Sequence, residues 1–399
     1  MAISEDLENL LADAMRGVAE LRESELGFSV HRLPQWTNMY HSHDGVTEKV
    51  ADNPSGVSIK LVTAATTVAL TYRSTRDQNL ADGYLAGPSV VSLTYRDDLG
   101  IEQHQFVAHS NGDLRVWNGM VNTGVIVGEN SVAEFELPAL PAGQLREITL
   151  WLPHNCNVQL IDLTANAPLR AAQPKTNWVH YGSSISHAQE ANTPADVWPA
   201  QVARALDLDL YSLGLAGSAN VEMFAARTIG DAAADLISLK IGINVVNGAT
   251  MTMRTFVPAV HSFLDEVRAA HPNVPILLIS PFVMPAAENN PGPTARDASG
   301  KFLAADWSDQ EWIGELSLSR IRAAMQRVVA QRTVANEHGL NEAGLEPDAN
   351  LFYVDGTELF GLGDVHFLDD DLHPNHNAQS LIASRFLTVL KRLRLVEPS

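Results

Sequence analysis

Between about Phe28 and Leu163, apolar and polar residues alternate with a period of two. Val57, Ile59 and Leu61 interleave with Ser58 and Lys60, and Val68, Leu70 and Tyr72 interleave with Ala69 and Thr71. Val91, Leu93 and Tyr95 keep the rhythm, as do Phe135 and Leu137 beside Glu134 and Glu136, and later Ile148 and Leu150. Successive side chains of a strand point to opposite faces, so this period predicts half-buried strands. Turn-forming stretches such as Asp52-Asn53-Pro54-Ser55-Gly56 and Ser110-Asn111-Gly112-Asp113 separate them. Many short strands with no helical stripe between them predict an all-β, jelly-roll-like antiparallel sandwich over residues 28–165.

The period is different on either side. From Ser4 to Glu23, Leu7, Leu10, Leu11, Ala14, Val18 and Leu21 recur at helical spacing behind Ser4 as N-cap, which predicts an amphipathic helix within residues 1–27. Such a helix can pack on the sandwich or on a second subunit, so a homo-oligomer stays open. Residues 166–176, with Pro168, Pro174 and several alanines, read as a linker.

From 177 to 399, strands alternate with helices. Strands are predicted at Asn177–Tyr181, Asp209–Leu213, Asp235–Ile241, Pro275–Ser280 and Leu351–Val354. Helical stripes lie between them: Asp196 to Leu206, then Phe256, Val260, Phe263, Leu264 and Val267. A last stripe carries Ala378, Leu381, Ile382, Phe386, Val389, Leu390 and Leu393. Five strands in alternation with helices predict an α/β domain with a parallel three-layer sheet. Pro285 to Asp309 is a long polar insertion, and such loops inside compact domains are usually functional or mobile.

Composition narrows the function. The 399 residues hold 27 Lys plus Arg against 47 Asp plus Glu, a formal charge of −20. That excess repels phosphate backbones and anionic lipid, so neither nucleic acid nor a membrane is an expected partner. No apolar run reaches the length of a membrane span, and no basic-then-apolar leader opens the chain, which favours a cytoplasmic location. The single cysteine, Cys156, excludes an intrachain disulfide framework.

The candidate chemistry lies at the carboxyl ends of the predicted parallel strands, which share one rim. The first strand runs into Gly182-Ser183-Ser184, the second into Gly214-Leu215-Ala216-Gly217, and the third into Gly242-Ile243-Asn244. After the fifth comes Asp369-Asp370-Asp371-Leu372-His373-Pro374, just before the last helix. Acyl transfer needs these residue types. Ser184 attacks a carbonyl carbon, His373 takes its proton and returns it to the leaving group, and Asp370 holds the other ring nitrogen. The backbone N–H groups of Ser184 and Gly217 and the side-chain amide of Asn244 form an oxyanion hole, each donor being typically worth roughly 3–4 kcal/mol of barrier. Asn244 ends an apolar strand where an amide has no evident packing role. Each block alone is commonly a turn or a cap; their joint order carries the argument.

In that order and on those elements, Ser184, Gly217, Asn244 and Asp370-x-x-His373 resemble the four blocks of the SGNH hydrolase family, the GDSL-like esterases and lipases. The resemblance covers roughly Asn177 to the end and implies a flavodoxin-like strand order. Ser183 stands where the family's name motif has Asp, as in members with Gly-Ser-Ser-Ile, and Val245 follows Asn244 where Asp is common. The β-rich part is similar to sandwich modules that precede this domain in some bacterial members.

The expected function is a serine esterase that removes short acyl groups, acetyl above all, from an alcohol such as a sugar, with no cofactor and no metal. Its alternatives are a lipid, aryl or thioester hydrolase with the same triad, or an inactive carbohydrate-binding protein. Two histidine clusters invite a metal reading: His41-Ser42-His43-Asp44, similar to the His-x-His-x-Asp start of metallo-hydrolases with the Asp one place early, and His366, Asp370, His373 and His376. Metal sites need converging ligands with a second shell, and the triad already uses two of the latter four. His180 and His187 flank the candidate nucleophile, with packing as the plain alternative to a role in the site.

Overall fold

The computed structural model describes residues 5–42, 45–119, 121–304 and 315–396. Two compact units emerge, one of Met1–Lys175 with Asn192–Ala200 and Asp209–Ser212, the other of Thr176–Ala191, Gln201–Leu208 and Leu213–Ser399.

The first unit holds two sheets. One has Met15–Arg16, Ser58–Thr63, Arg146–Trp151, Ser89–Arg96 and Glu102–His109 side by side in that order, with Arg170–Ala171 also on Ser58–Thr63. The other runs Val121–Ile126, Asp113–Asn118, Thr67–Asn79, Asn157–Ala165, Phe28–His31 and Glu20–Glu23, with Ser131–Glu136 and Tyr84–Leu85 also on Thr67–Asn79. Pairing is antiparallel except between Thr67–Asn79 and Asp113–Asn118. Thr67–Asn79 shows the period of two most cleanly: Val68, Leu70, Tyr72, Ser74 and Arg76 are buried and their neighbours less so. One apolar core draws Ile59, Leu61, Leu93 and Leu150 from the first sheet and Leu70, Tyr72, Phe135 and Leu160 from the second. Each such side chain, fully buried, stabilises the fold by roughly 1.5–3 kcal/mol before entropy is counted.

The helix expected over Ser4–Glu23 stops at Ala14, and Ser4 lies outside the described residues. Met15 and Arg16 are already extended, and Gly17, at φ 80°, then takes a left-handed conformation that glycine adopts cheaply. Met15 and Arg16 pair with Ile59 and Ser58, and Glu20–Glu23 runs antiparallel to Phe28–His31. Val18 and Leu21 still pack against the core, so their spacing served two geometries and strand pairing won. Likewise the expected linker is partly sheet, since Arg170 and Ala171 pair with Val62 and Leu61.

From Thr176 onward the chain builds a five-stranded parallel sheet, whose strands are Thr176–Gly182, Leu208–Gly214, Leu236–Lys240, Ile276–Ile279 and Leu351–Val354. Their order is second, first, third, fourth, fifth, the flavodoxin-like order. Leu236–Lys240 and Ile276–Ile279 are buried throughout, because helices cover both faces of such a sheet. Helix Met253–Ala270 buries the expected stripe of Phe256, Val260, Phe263, Leu264 and Val267. Trp198–Leu206 begins two residues later than expected, since Pro194–Asp196 first forms a 3-10 turn. Asn375 caps helix His376–Arg392, accepting from the backbone N–H of Asn377 at 3.1 Å. In the polar insertion, Thr294–Arg296 and Phe302–Ala304 form a hairpin; residues 305–309 lie outside the described residues.

The third strand ends in a buried cation. Lys240 Nζ lies 4.1 Å from the Phe282 ring centroid and meets no hydrogen-bond acceptor among the described residues. Burial lowers its pKa to about 7. Since an unfolded lysine titrates near 10.4, the unfolded chain binds more protons between about pH 7 and 10, and stability rises with pH across that window. Lys240→Met keeps an unbranched side chain one atom shorter and removes the charge. Urea unfolding near pH 6 should show a gain on the order of 3 kcal/mol, after the attraction to Phe282 is set against desolvation, shrinking towards pH 10. An equal gain at both pH values would assign the effect to packing.

Candidate active site

The first strand of the parallel sheet delivers three serines into one short turn. Ser183 sits at the N-cap of helix Ser184–His187 with φ −84° and ψ −162°, and its hydroxyl accepts from the N–H of Ile185. The turn presses on the end of the second strand: a Cβ on Gly214 would come within 2.6 Å of the His187 nitrogen, so no other residue fits there without movement. Leu215 N–H donates to Gly182 O at 2.7 Å, joining the two strand ends.

The serines then part. Ser183 is buried as the cap. Ser186 is buried too, with its Oγ 2.8 Å from His180 Nε2, while His180 Nδ1 lies 2.7 Å from Ser238 Oγ. Ser238 Oγ also receives the Trp178 indole N–H at 2.9 Å, so Trp178, Ser238, His180 and Ser186 form one buried polar chain. Burial, helped by the Lys240 charge, lowers the His180 pKa to about 3, which keeps the imidazole neutral. Ser184 alone of the three meets His373, its Oγ 2.9 Å from Nε2.

His373 enters from the segment before the last helix. Its Nδ1 lies 2.7 Å from Asp370 Oδ2, and Asp370 Oδ1 accepts the backbone N–H groups of His373 at 2.7 Å and Leu372 at 3.0 Å. Asp369 instead accepts from the Asn375 amide at 2.9 Å, and Asp371 pairs with Lys301 at 3.0 Å, so the three adjacent acids are cleanly sorted. Burial disfavours the imidazolium of His373. The hydrogen bond to Asp370 and the charges of Glu190 and Asp370 outweigh that, so its pKa is raised above the ordinary value. Burial also opposes the Asp370 carboxylate, but His373 and the two backbone donors hold it well below the usual range.

Gly217 follows the second strand, exposed, at φ 73°. Asn244 opens the turn after the third strand and is buried, its Oδ1 accepting from the Ala219 N–H at 3.1 Å. That bond uses the oxygen and leaves the NH₂ as donor. It also corrects the expectation of no packing role, since Asn244 ties its own turn to the loop that carries Gly217. Among the described residues, the N–H groups of Ser184 and Gly217 have no protein acceptor. The arrangement can pass a proton from Ser184 Oγ to His373 Nε2 while Asp370 keeps the opposite N–H in place.

Three neighbours escaped the sequence reading. Glu190 Oε1 stands 3.9 Å from His373 Nδ1, Arg296 Nη2 donates to Asp370 Oδ2 at 3.0 Å, and the Phe302 ring meets the His373 ring edge-on with centroids 6.0 Å apart. Two of them come from the polar insertion, whose length was the available signal; Glu190 had none. His366 is exposed, with Nδ1 3.1 Å from Gly363 O, and His376 is exposed at the start of its helix. His43 and Asp44 lie outside the described residues. Among those described, no group of three or more His, Cys, Asp or Glu side chains is placed to hold a metal ion, and no helix is long and apolar enough to cross a membrane.

Residues 175–292 match the profile of the GDSL-like Lipase/Acylhydrolase family. Among solved structures, a salicylyl-acyltransferase from a tetracycline biosynthetic pathway is 22% identical, with a TM-score of 0.74 over 95% of this chain and 94% of that one. A candidate GDSL-like lipase from Bacteroides ovatus is 17% identical, with a TM-score of 0.66 over 96% of both chains. A family two carbohydrate esterase from Clostridium thermocellum, solved with cellohexaose, is 15% identical, with a TM-score of 0.53 over 85% of this chain and 93% of that one. At these identities the likeness is one of fold. No curated protein sequence matches the chain. The fold is that of an SGNH hydrolase behind a β-rich module, and its enzyme class is that of the carboxylic ester hydrolases.

Proposed function

We propose that this chain, with its GDSL-like lipase/acylhydrolase domain, cleaves short-chain acyl esters, acetyl esters foremost, of alcohols such as sugars. Ser184 is the nucleophile, His373 the general base and then acid, and Asp370 the group that fixes the tautomer and orientation of His373. The N–H groups of Ser184 and Gly217 and the NH₂ of Asn244 receive the oxyanion. The observation that carries this reading is the unbroken relay Ser184 Oγ to His373 Nε2 at 2.9 Å and Nδ1 to Asp370 at 2.7 Å. Attack on the ester forms an acyl-Ser184 and releases the alcohol with the proton from His373; water, deprotonated by His373, then releases the acid. The sugar preference draws support from the esterase crystallised with cellohexaose, which shares the fold. A second reading hands the same acyl group to an alcohol in place of water, and the likeness to a salicylyl-acyltransferase favours it.

A fluorophosphonate probe tests the reading directly, since it modifies a competent serine. Peptide mapping should place the adduct on Ser184, and an unmodified protein would overturn the proposal. Acetylated sugars compared with p-nitrophenyl esters of increasing length then grade the substrate claim; faster turnover of long chains would replace acetyl by lipid. Adding an alcohol acceptor separates the two fates of the acyl group by product analysis.

The pH profile has a defined sign. His373 acts as base when neutral, so kcat/KM rises with pH through its titration. Because its pKa is raised, the midpoint should lie above that of a free histidine. Asp370→Asn removes the largest of the effects that raise it, and should lower both the plateau rate and the midpoint. If Asp371→Asn does this while Asp370→Asn does not, the orienting acid is Asp371.

A further inference from the structure

We propose that Arg296 is a positioning residue of this site: from the hairpin of the insertion, its guanidinium holds Asp370 in place and offsets the negative charge around His373. The proposal rests on the roles assigned above to Asp370 and His373. Asp370 is met by four donors. Oδ1 takes the backbone N–H groups of Leu372 and His373, and Oδ2 takes His373 Nδ1 at 2.7 Å and Arg296 Nη2 at 3.0 Å. The first three come from its own segment; Arg296 comes from 74 residues away in sequence.

Arg296 is itself held. Its Nη1 donates to Gly300 O at 2.6 Å, and its guanidinium carbon lies 4.3 Å from the Phe302 ring centroid. Phe302 in turn meets His373 edge-on, and its N–H donates to the Asp370 carbonyl at 3.1 Å. With Lys301 paired to Asp371, the hairpin is latched to the acid segment through Arg296, Lys301 and Phe302. A planar fork that stacks on an aromatic ring while it bonds a carboxylate is a use that suits arginine better than lysine.

The charges facing His373 make the second half of the case. Asp370 lies on one side and Glu190, 3.9 Å from Nδ1, on another; both favour the imidazolium. Asp371 is neutralised by Lys301, and Asp369 is turned to Asn375. Arg296 is the cation among the described residues whose charge opposes the imidazolium. Without it, His373 sees two carboxylates with no cation set against them, only its burial, and holds its proton to higher pH.

The test uses the rate of Ser184 modification by a fluorophosphonate as a function of pH, which needs no choice of ester. Arg296→Gln should raise the midpoint by on the order of half a pH unit or more and lower the plateau rate. Arg296→Met, a second charge-free variant in case the first folds poorly, carries the same expectation. Arg296→Lys should keep the midpoint and lose part of the plateau. Glu190→Gln should lower the midpoint, and Arg296→Gln with Glu190→Gln should return it near the starting value. A midpoint unmoved in both charge-free variants, with the plateau or melting temperature lowered, makes Arg296 a strut of the hairpin and overturns the proposal. Undiminished modification of Ser184→Ala would instead overturn the nucleophile assignment beneath it, so the two failures are distinct.

Discussion

Ser184→Ala should leave a folded protein whose turnover falls by roughly 10⁴–10⁶-fold, as when the nucleophile of a serine hydrolase is removed. The substitution deletes one oxygen from a half-buried position, where its recorded partner is His373 Nε2. Thermal stability should therefore stay within about 0.5 kcal/mol, as for a surface change. The neighbouring serines should behave in the opposite way. Ser186→Ala removes the hydroxyl bonded to the buried Nε2 of His180 and should cost roughly 1–3 kcal/mol of stability. Ser183→Ala removes a cap, worth about 0.5–2 kcal/mol where capping is effective. Activity measured on each variant well below its melting temperature separates chemistry from folding. Retention of most turnover in Ser184→Ala, with loss in Ser183→Ala, would transfer the nucleophile to Ser183.

The five parallel strands were legible because each is a short, largely apolar run closed by Gly, Ser or Asp-Gly, a pattern that a sheet covered on both faces favours. The convergence of Ser184 with His373 was legible for a related reason: parallel strands put all their carboxyl ends on one rim, however far apart in sequence. Local geometry even chose among three adjacent acids, since a carboxylate three residues before a histidine on one turn reaches Nδ1, and Asp370 does so. What stayed hidden depends on tertiary choice. Val18 and Leu21 satisfy a helical stripe and an inward strand face alike, and nothing local says that Glu20–Glu23 will find Phe28–His31. Arg296 and Phe302 lie in a polar insertion with no apolar period, so their docking on Asp370 and His373 was invisible beforehand. Lys240 was hidden differently: a lysine ending an apolar strand reads as a solvated terminus, and here it is buried over Phe282.

Asn244 should prove the most informative of the oxyanion donors, because its two polar atoms do different work. Its Oδ1 accepts the buried N–H of Ala219 at 3.1 Å, and its NH₂ is the group assigned to the oxyanion. Asn244→Ala removes both. It should lower kcat by roughly 10²–10³ with little change in KM, since a donor that strengthens its bond as charge develops acts on the transition state. It should also cost roughly 1–3 kcal/mol of stability, for the Ala219 N–H is left without a partner. Asn244→Asp divides the two effects. It keeps an oxygen for Ala219 in the same shape, so the fold should hold more of its stability than in the alanine variant. It also sets a carboxylate where negative charge must form, so kcat should fall at least as far as in the alanine variant. Urea unfolding and steady-state kinetics on the pair give the answer. If Asn244→Asp retains near-native kcat, the amide is a strut between the turn at Ile243–Asn247 and the loop carrying Gly217, and the oxyanion is held by the backbone N–H groups of Ser184 and Gly217 alone.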